Sequence, residues 1–262
     1  MTSSDSIRLV SVVLPTYNEA GNIVSLAEAI HAAVKQPHEI IVVDDNSPDG
    51  TSQLVRDRMA KGDFPELKVE TRMTDRGLTK SIRHGIETAK GDVVVWMDCD
   101  FSMPPEKIPE LLQKIAEGAD IAVGSRFVPG GKYKESDRLI GGEESGLAIL
   151  LSRLINWFLR VSLSPRFHDY TSGFVAVRSE VFQKIRLTGD YGEYFIDFIY
   201  RAILLKYTIT EIPYVCMPRR AGESKTGASL KHLWKFGMNY LAVVWRMQRI
   251  RLKKAFGGDI TG

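Results

Sequence analysis

Two runs limit what this chain can fold into. Ile40-Ile41-Val42-Val43 and Val93-Val94-Val95-Trp96 are apolar at every position and only four residues long. A strand with one wet face alternates apolar and polar residues. An unbroken apolar run must be covered on both faces, which a sheet between two layers of helices provides. Counting the strands that hold these two runs, strands are predicted at Leu9–Pro15, Glu39–Asp45, Leu67–Arg72, Asp92–Asp98 and Ala119–Ser125. Helical spacing lies between them, as in Ile23, Leu26, Ala27, Ile30 and Val34, and in Ile108, Leu111, Leu112 and Ile115 after Pro104-Pro105. Strand alternating with helix implies an α/β fold, a mostly parallel central sheet with helices on both faces. Beyond Arg126 the spacing predicts a loop over 127–146, helices near 147–163 and 194–206, strands at Phe174–Arg178 and Thr208–Val215, and one long helix from Ser229 to Phe256.

Each early strand ends in a polar cluster: Pro-Thr-Tyr-Asn-Glu at 15–19, Asp-Asp-Asn-Ser-Pro-Asp-Gly at 44–50, Asp-Cys-Asp at 98–100 and Gly-Ser-Arg at 124–126. Ligands of such sheets bind beyond the carboxyl ends of the strands, so these clusters should converge. Asp98 and Asp100 would share a face if the extended conformation continues past the strand. Two neighbouring carboxylates repel unless a cation compensates, and a divalent ion bound to phosphate does so. Each cluster also has a plain reading as turn and cap chemistry: Asp before the helix at Pro104-Pro105, Ser47 or Asp49 before the helix near Thr51, Asn18 before the helix of Ile23. Arg126, Arg219, Arg220 and Lys225 supply the opposite charge, with guanidinium groups suited to phosphate oxygens.

Composition removes several alternatives. A net charge of +3 over 262 residues is not that of a nucleic-acid-binding chain. No G-x-G-x-x-G, P-loop or G-x-S-x-G motif occurs, the five histidines have no metal spacing, and Cys99 and Cys216 are expected as free thiols. The amino terminus lacks the pattern of a signal peptide, and no apolar stretch approaches the length of a membrane span. The charge is uneven, however. Seven cations and no acid lie between Thr226 and Gly258, and without them the net charge falls from +3 to −4.

P-T-Y-N-E, V-D-D-N-S-P-D-G, R-G-L (76–78), G-D-V-V-V-W-M-D-C-D, G-S-R, T-S-G-F (171–174) and G-E-S-K (222–225) follow one another in an order that resembles the family 2 glycosyltransferases. Within them the set is most similar to the dolichol-phosphate mannosyltransferases and their polyprenyl-phosphate relatives, over about residues 9–227. The resemblance implies a nucleotide-diphospho-sugar transferase (GT-A type) fold. It implies that Pro15, Tyr17, Glu19, Val43 and Asp45 hold the nucleoside, and that Asp98, Cys99 and Asp100 surround the ribose, diphosphate and a Mg or Mn ion. Arg126, Arg219 and Lys225 match positions on the sugar nucleotide, and together with Asp100 they form the expected catalytic set. Ser102 stands where some relatives have a glutamine metal ligand, and Cys99 where alanine is usual.

The function so implied is inverting transfer of a hexose, mannose ahead of glucose, from GDP-mannose or UDP-glucose to a polyprenyl phosphate. Transfer to a saccharide hydroxyl is an alternative that needs a base, for which Asp169 or Glu193 would serve; a nucleotide-sugar-binding subunit without turnover is another. The expected organisation is a catalytic domain at 1–227 and a basic amphipathic helix at 228–262. That helix, with Leu230, Leu233, Trp234, Gly237, Leu241, Val244 and Trp245 near one face, suits either a membrane surface or packing on the domain. The expectation is a cytoplasmic protein peripheral on the cytoplasmic face of a membrane, with room for a membrane-anchoring partner subunit and no role for nucleic acid.

Overall fold

The computed structural model describes residues 7–133, 146–190, 192–220 and 230–261, the side chains of 146–148 and 230–239 excepted. Its centre is a seven-stranded sheet in the order β3-β2-β1-β4-β7-β5-β8. The strands are β1 (Val10–Thr16), β2 (His38–Asp44), β3 (Leu67–Thr71), β4 (Val93–Trp96), β5 (Ile121–Ser125), β7 (Val175–Arg178) and β8 (Ile209–Pro213). All pairings are parallel except those of β7, which is antiparallel to both β4 and β5. A two-stranded parallel ribbon, β6 (Lys132–Tyr133) with β9 (Val215–Cys216), lies outside the sheet.

Alternation along the strands sorts the core into two layers. Val12, Leu14, Ile40, Val42, Val93 and Val95 face α1 (Ile23–Ala33), α2 (Thr51–Met59) and α4 (Ile108–Ala116). In the second, upper layer Val13, Ile41, Val43, Val94 and Trp96 face α3 (Leu78–Thr88), α5 (Gly146–Ser162), α6 (Glu193–Leu204) and α7 (Leu230–Ala255). The apolar runs are thus covered on both sides, as their composition requires. The greater part of the expected 127–146 loop lies outside the described residues.

The long terminal helix is docked along its described second half. Val243 and Met247 are buried, Arg246 Nη2 lies 3.1 Å from Asp197 Oδ2 on α6, and Arg201 of α6 donates to the carbonyl of Ile260. No helix among the described residues is long and apolar enough to cross a membrane.

The approach of α3 to the sheet depends on a glycine. A Cβ on Gly85 of α3 would overlap Cγ1 of Val13 in β1, so the helix lies closer to the sheet than any other residue permits. Gly85→Ala is expected to cost about 1–3 kcal/mol, measured by denaturant unfolding. Adding Val13→Ala should leave a double variant less destabilised than the sum of the two singles.

Candidate functional site

The chain leaves β1 for β2 on one side, whereas β4 pairs with β1 on the other. This is a switch point, where a crevice forms beyond the carboxyl ends of the strands. A cavity of about 430 Å³ opens there. Pro15, Tyr17 and Glu19 line it from the end of β1, Asp45 from the end of β2, and Asp98, Cys99 and Asp100 from beyond β4, with Arg219 across from them. Thr16, the R-G-L stretch Arg76-Gly77-Leu78 before and at the start of α3, Ser81 and Asp190 complete the lining, and of these only Ser81 and Asp190 belong to no motif named above.

The two carboxylates meet by a different route from the one their spacing predicts. β4 ends at Trp96, so Asp98 and Asp100 stand in a bend and not at alternate strand positions. Phe101 has φ +65°, a conformation unusual for a bulky residue, and the guanidinium of Arg220 stacks over its ring at 4.2 Å. The backbone N–H of Arg220 donates to the carbonyl of Asp100, and that of Met217 to Ser102. The segment that carries Arg219 is thereby stitched to the acidic turn. The Cys99 thiol donates to the carbonyl of Pro15 at 3.4 Å, which binds the turn to β1.

Asp100 is almost wholly buried. Its Oδ2 lies 3.0 Å from Arg219 Nε, and its Oδ1 accepts from the Ser102 N–H at 2.9 Å. Asp98 is half-buried beside it. Burial, then the charge of Asp100, raises the Asp98 pKa to about 7, with Glu19 adding to the rise and Arg219 and Arg126 opposing it. The site is therefore short of positive charge, and hard oxygen donors of this kind fit Mg or Mn. Among the described residues no group of three or more His, Cys, Asp or Glu assembles to hold a metal. Two carboxylates completed by waters and substrate phosphates are a usual arrangement for Mg.

Asp45 is held from two sides. Arg72 Nη1 donates to Oδ1 and the Gly77 N–H to Oδ2, each at 2.7 Å. Asp44, fully buried, accepts from the Ser47 N–H and the Ser47 and Ser52 hydroxyls and serves the turn. Asp49 accepts from the Thr51 N–H at the start of α2 and from the Ala20 N–H across the loop. Asp49 thus holds the first N–H of α2 from the residue before the N-cap, Gly50. Ser47 donates to Asp44 and accepts from Asn18, and neither α1 nor α2 has the side-chain cap the sequence suggests. Arg76 lies over the ring of Tyr17 at 5.6 Å.

Three other predicted residues stand away from the lining. Val43 is fully buried in the upper core layer. Ser102 is buried behind Asp100. Arg126 turns its Nε and Nη2 to the two oxygens of Asp169, at 2.9 and 2.7 Å, and donates also to Thr171. Burial works against the Arg126 charge, but Asp169 outweighs it and holds the pKa well above its ordinary value. Asp169 is itself fully buried and so committed, and Glu193 accepts from the Asp190 N–H. Lys225 lies outside the described residues.

Comparison with known proteins places this geometry in context. Residues 11–186 match the profile of glycosyl transferase family 2. The chain is 37% identical over 224 residues to a polyprenol monophosphomannose synthase of Mycolicibacterium smegmatis, covering 83% of this chain and 81% of that protein. It is 35% identical over 236 residues to a dolichol-phosphate mannosyltransferase of Pyrococcus furiosus, covering 86% of this chain but only 63% of that protein. Among solved structures, glucosyl-3-phosphoglycerate synthase from Mycobacterium tuberculosis, in complex with Mn2+, UDP and glucosyl-3-phosphoglycerate, superposes with a TM-score of 0.67 at 20% identity. That match covers 93% of this chain and 81% of the other, and shows the shared GT-A fold.

The raised Asp98 pKa has a signed consequence for stability. A carboxyl whose folded pKa is about 7 against an ordinary 3.8 favours folding most below the ordinary value, and that contribution is lost as pH rises to the folded value. Asp98→Asn, measured in chelator without nucleotide, should raise Tm by about 2–4 °C near pH 8. The difference should close as pH falls toward about 4; a pH-independent difference would contradict the assignment.

Proposed function

This chain belongs to glycosyl transferase family 2, and on that premise we propose that it transfers mannose from a nucleotide diphosphate sugar to a polyprenyl phosphate, with inversion at the sugar carbon. The observation that carries the reading is the Asp98–Asp100 pair faced by Arg219 at the switch-point cavity. The names of the relatives at 35–37% identity support the sugar and the acceptor class.

In this reading Pro15, Tyr17, Glu19 and Asp45 hold the nucleoside, Tyr17 offering its ring to the base. Asp98 and Asp100 hold Mg or Mn, which when bound neutralises charge gathering on the diphosphate leaving group. Arg219, which otherwise pairs with Asp100, has in the diphosphate oxygens a more highly charged partner for its guanidinium. Lys225, six residues further on, adds a second cation. An oxygen of the acceptor phosphate forms the new bond to the sugar C1 as the bond from C1 to the diphosphate breaks, and the electron pair leaves with the diphosphate. The acceptor is already ionised near neutral pH and needs no base. Asp169, sealed against Arg126, supports that reading over one with a hydroxyl acceptor. Arg126, turned from the cavity onto Asp169 and Thr171, is outside the donor contacts in this reading. The same reading sets the protein on the cytoplasmic face of a membrane, where its lipid acceptor lies.

Asp100→Ala should abolish transfer with little change in Tm. Arg219→Ala and Lys225→Ala should each reduce turnover at least about tenfold, as for loss of one charge-assisted contact to a leaving group. Wild-type protein with Mg or Mn is incubated with labelled GDP-mannose or UDP-glucose and polyprenyl phosphate, and label is counted in the lipid phase. Label from GDP-mannose alone is expected. Label from UDP-glucose alone would change the donor, label on a saccharide acceptor would change the acceptor, and a bound donor never consumed would mark a binding subunit.

A further inference from the structure

Helix α3 contributes to two cavities. Leu78 and Ser81, in its first turn, wall the cavity at the switch point. Arg83, Ile86 and Glu87, further along, wall a second cavity of about 440 Å³. The stretch that follows β7, from Phe182 to Leu187, forms most of the rest of that second wall, and the two linings share no residue. A volume of this size holds a small organic ligand.

The apolar part of the second cavity is firmly held. Ile185 is fully buried and Leu187 nearly so, with Ile86 and Phe182 half-buried beside them. The Phe182 ring is stacked on that of Phe198 in α6, 6.2 Å between centres and 20° between planes, and the Trp96 ring lies 6.3 Å away. A ring backed in this way is a fixed flat surface.

The charged part has one dominant sign. Arg83, Lys184 and Arg186 stand against a single acid, Glu87. Arg83 Nε and Arg186 Nη2 both lie 3.7 Å from the same oxygen of Glu87, and Lys184 has no ion-pair partner among the described residues. Exposed pairs at that distance are weak, so both guanidinium groups are able to turn to a ligand. The switch-point cavity has the opposite balance, with Glu19, Asp45, Asp98, Asp100 and Asp190 against Arg76 and Arg219. There a phosphate needs a metal ion beside it. In the second cavity the protein itself supplies the compensating charge.

We propose that this second cavity is a ligand site for a small organic phosphate with a flat apolar body, bound without metal. The apolar body rests on Ile86, Phe182 and Leu187, and the phosphate meets Arg83, Lys184 and Arg186. The site is independent of the nucleotide-sugar reading above, because it shares no residue with the cavity on which that reading rests.

The test uses the full chain and 1-naphthyl phosphate as the probe, titrated by calorimetry with GDP and Mg present and again in chelator. Wild type should bind one equivalent under both conditions. Inorganic phosphate and 1-naphthol, each carrying half of the chemistry, should bind at least about tenfold more weakly. Lys184→Gln/Arg186→Gln removes two exposed charges and should weaken the probe at least about tenfold with Tm unchanged. Ile86→Trp, which fills the cavity, should abolish binding, whereas Arg219→Ala, in the other cavity, should bind the probe as wild type does. A wild type that ignores the probe would overturn the proposal, as would undiminished binding by the charge variant or loss of binding in Arg219→Ala. Inorganic phosphate that binds as tightly as the probe would reduce the cavity to a cationic surface patch. Self-association that the charge variant abolishes would assign this face to a second copy of the chain, and either result sinks the proposal.

Discussion

The functional architecture depends on one pairing, β1 against β4. Because β2 lies on the other flank of β1, the segments that follow these strands diverge and leave a crevice with backbone on three sides. Into it the chain places Asp98 and Asp100, and burial, reinforced by the charge of Asp100, drives the Asp98 pKa to about 7. Arg219 alone does not cancel that repulsion. That electrostatic deficit suits the cavity to a cation and a polyanion together, as the proposed function requires.

The turn is over-determined, as strained functional backbone must be. Phe101 in the left-handed region costs about 1–2 kcal/mol, offset by the stacked Arg220, the Cys99–Pro15 contact and the two backbone bonds from 217–220. The residues that would bind phosphate are therefore coupled to the residues that would bind the metal. Arg219 cannot be repositioned without touching the support of Asp100.

Much of this was legible in the sequence. Runs apolar at every position announced buried parallel strands, and polar residues just past them announced the converging site. Other features had no local signal. Helix α3 carries a narrow apolar stripe of Leu78, Ile82 and Ile86, and small or polar Thr79, Ser81 and Gly85 fill much of its buried face, so its residue types do not stand out along the chain. Its first turn nevertheless supplies part of the cavity wall. The hold of Arg72 and Gly77 on Asp45 spans about thirty residues of chain, and spacing does not report such contacts. The carboxylate pair was placed correctly for an incomplete reason: period-two geometry ends at Trp96, and the meeting of Asp98 with Asp100 is the work of a turn that tertiary contacts enforce.

The reversed strand β7 has a consequence in time. Among the described residues β4 pairs with β1 and β7 alone, and β5 with β7 and β8 alone. Strands β1 to β4 can close as soon as the first hundred or so residues have emerged, but β5 then has no partner in the sheet. Until residues 175–178 are made, β4 keeps a bare apolar edge and the segment carrying Arg126 has nowhere to dock. Synthesis from the amino terminus thus divides the fold into an early half, β1 to β4 with most of the cavity, and a late half that arrives with Asp169 and Thr171. β7 is the clasp between them, and Arg126 gains its counter-ion only as that clasp is about to close.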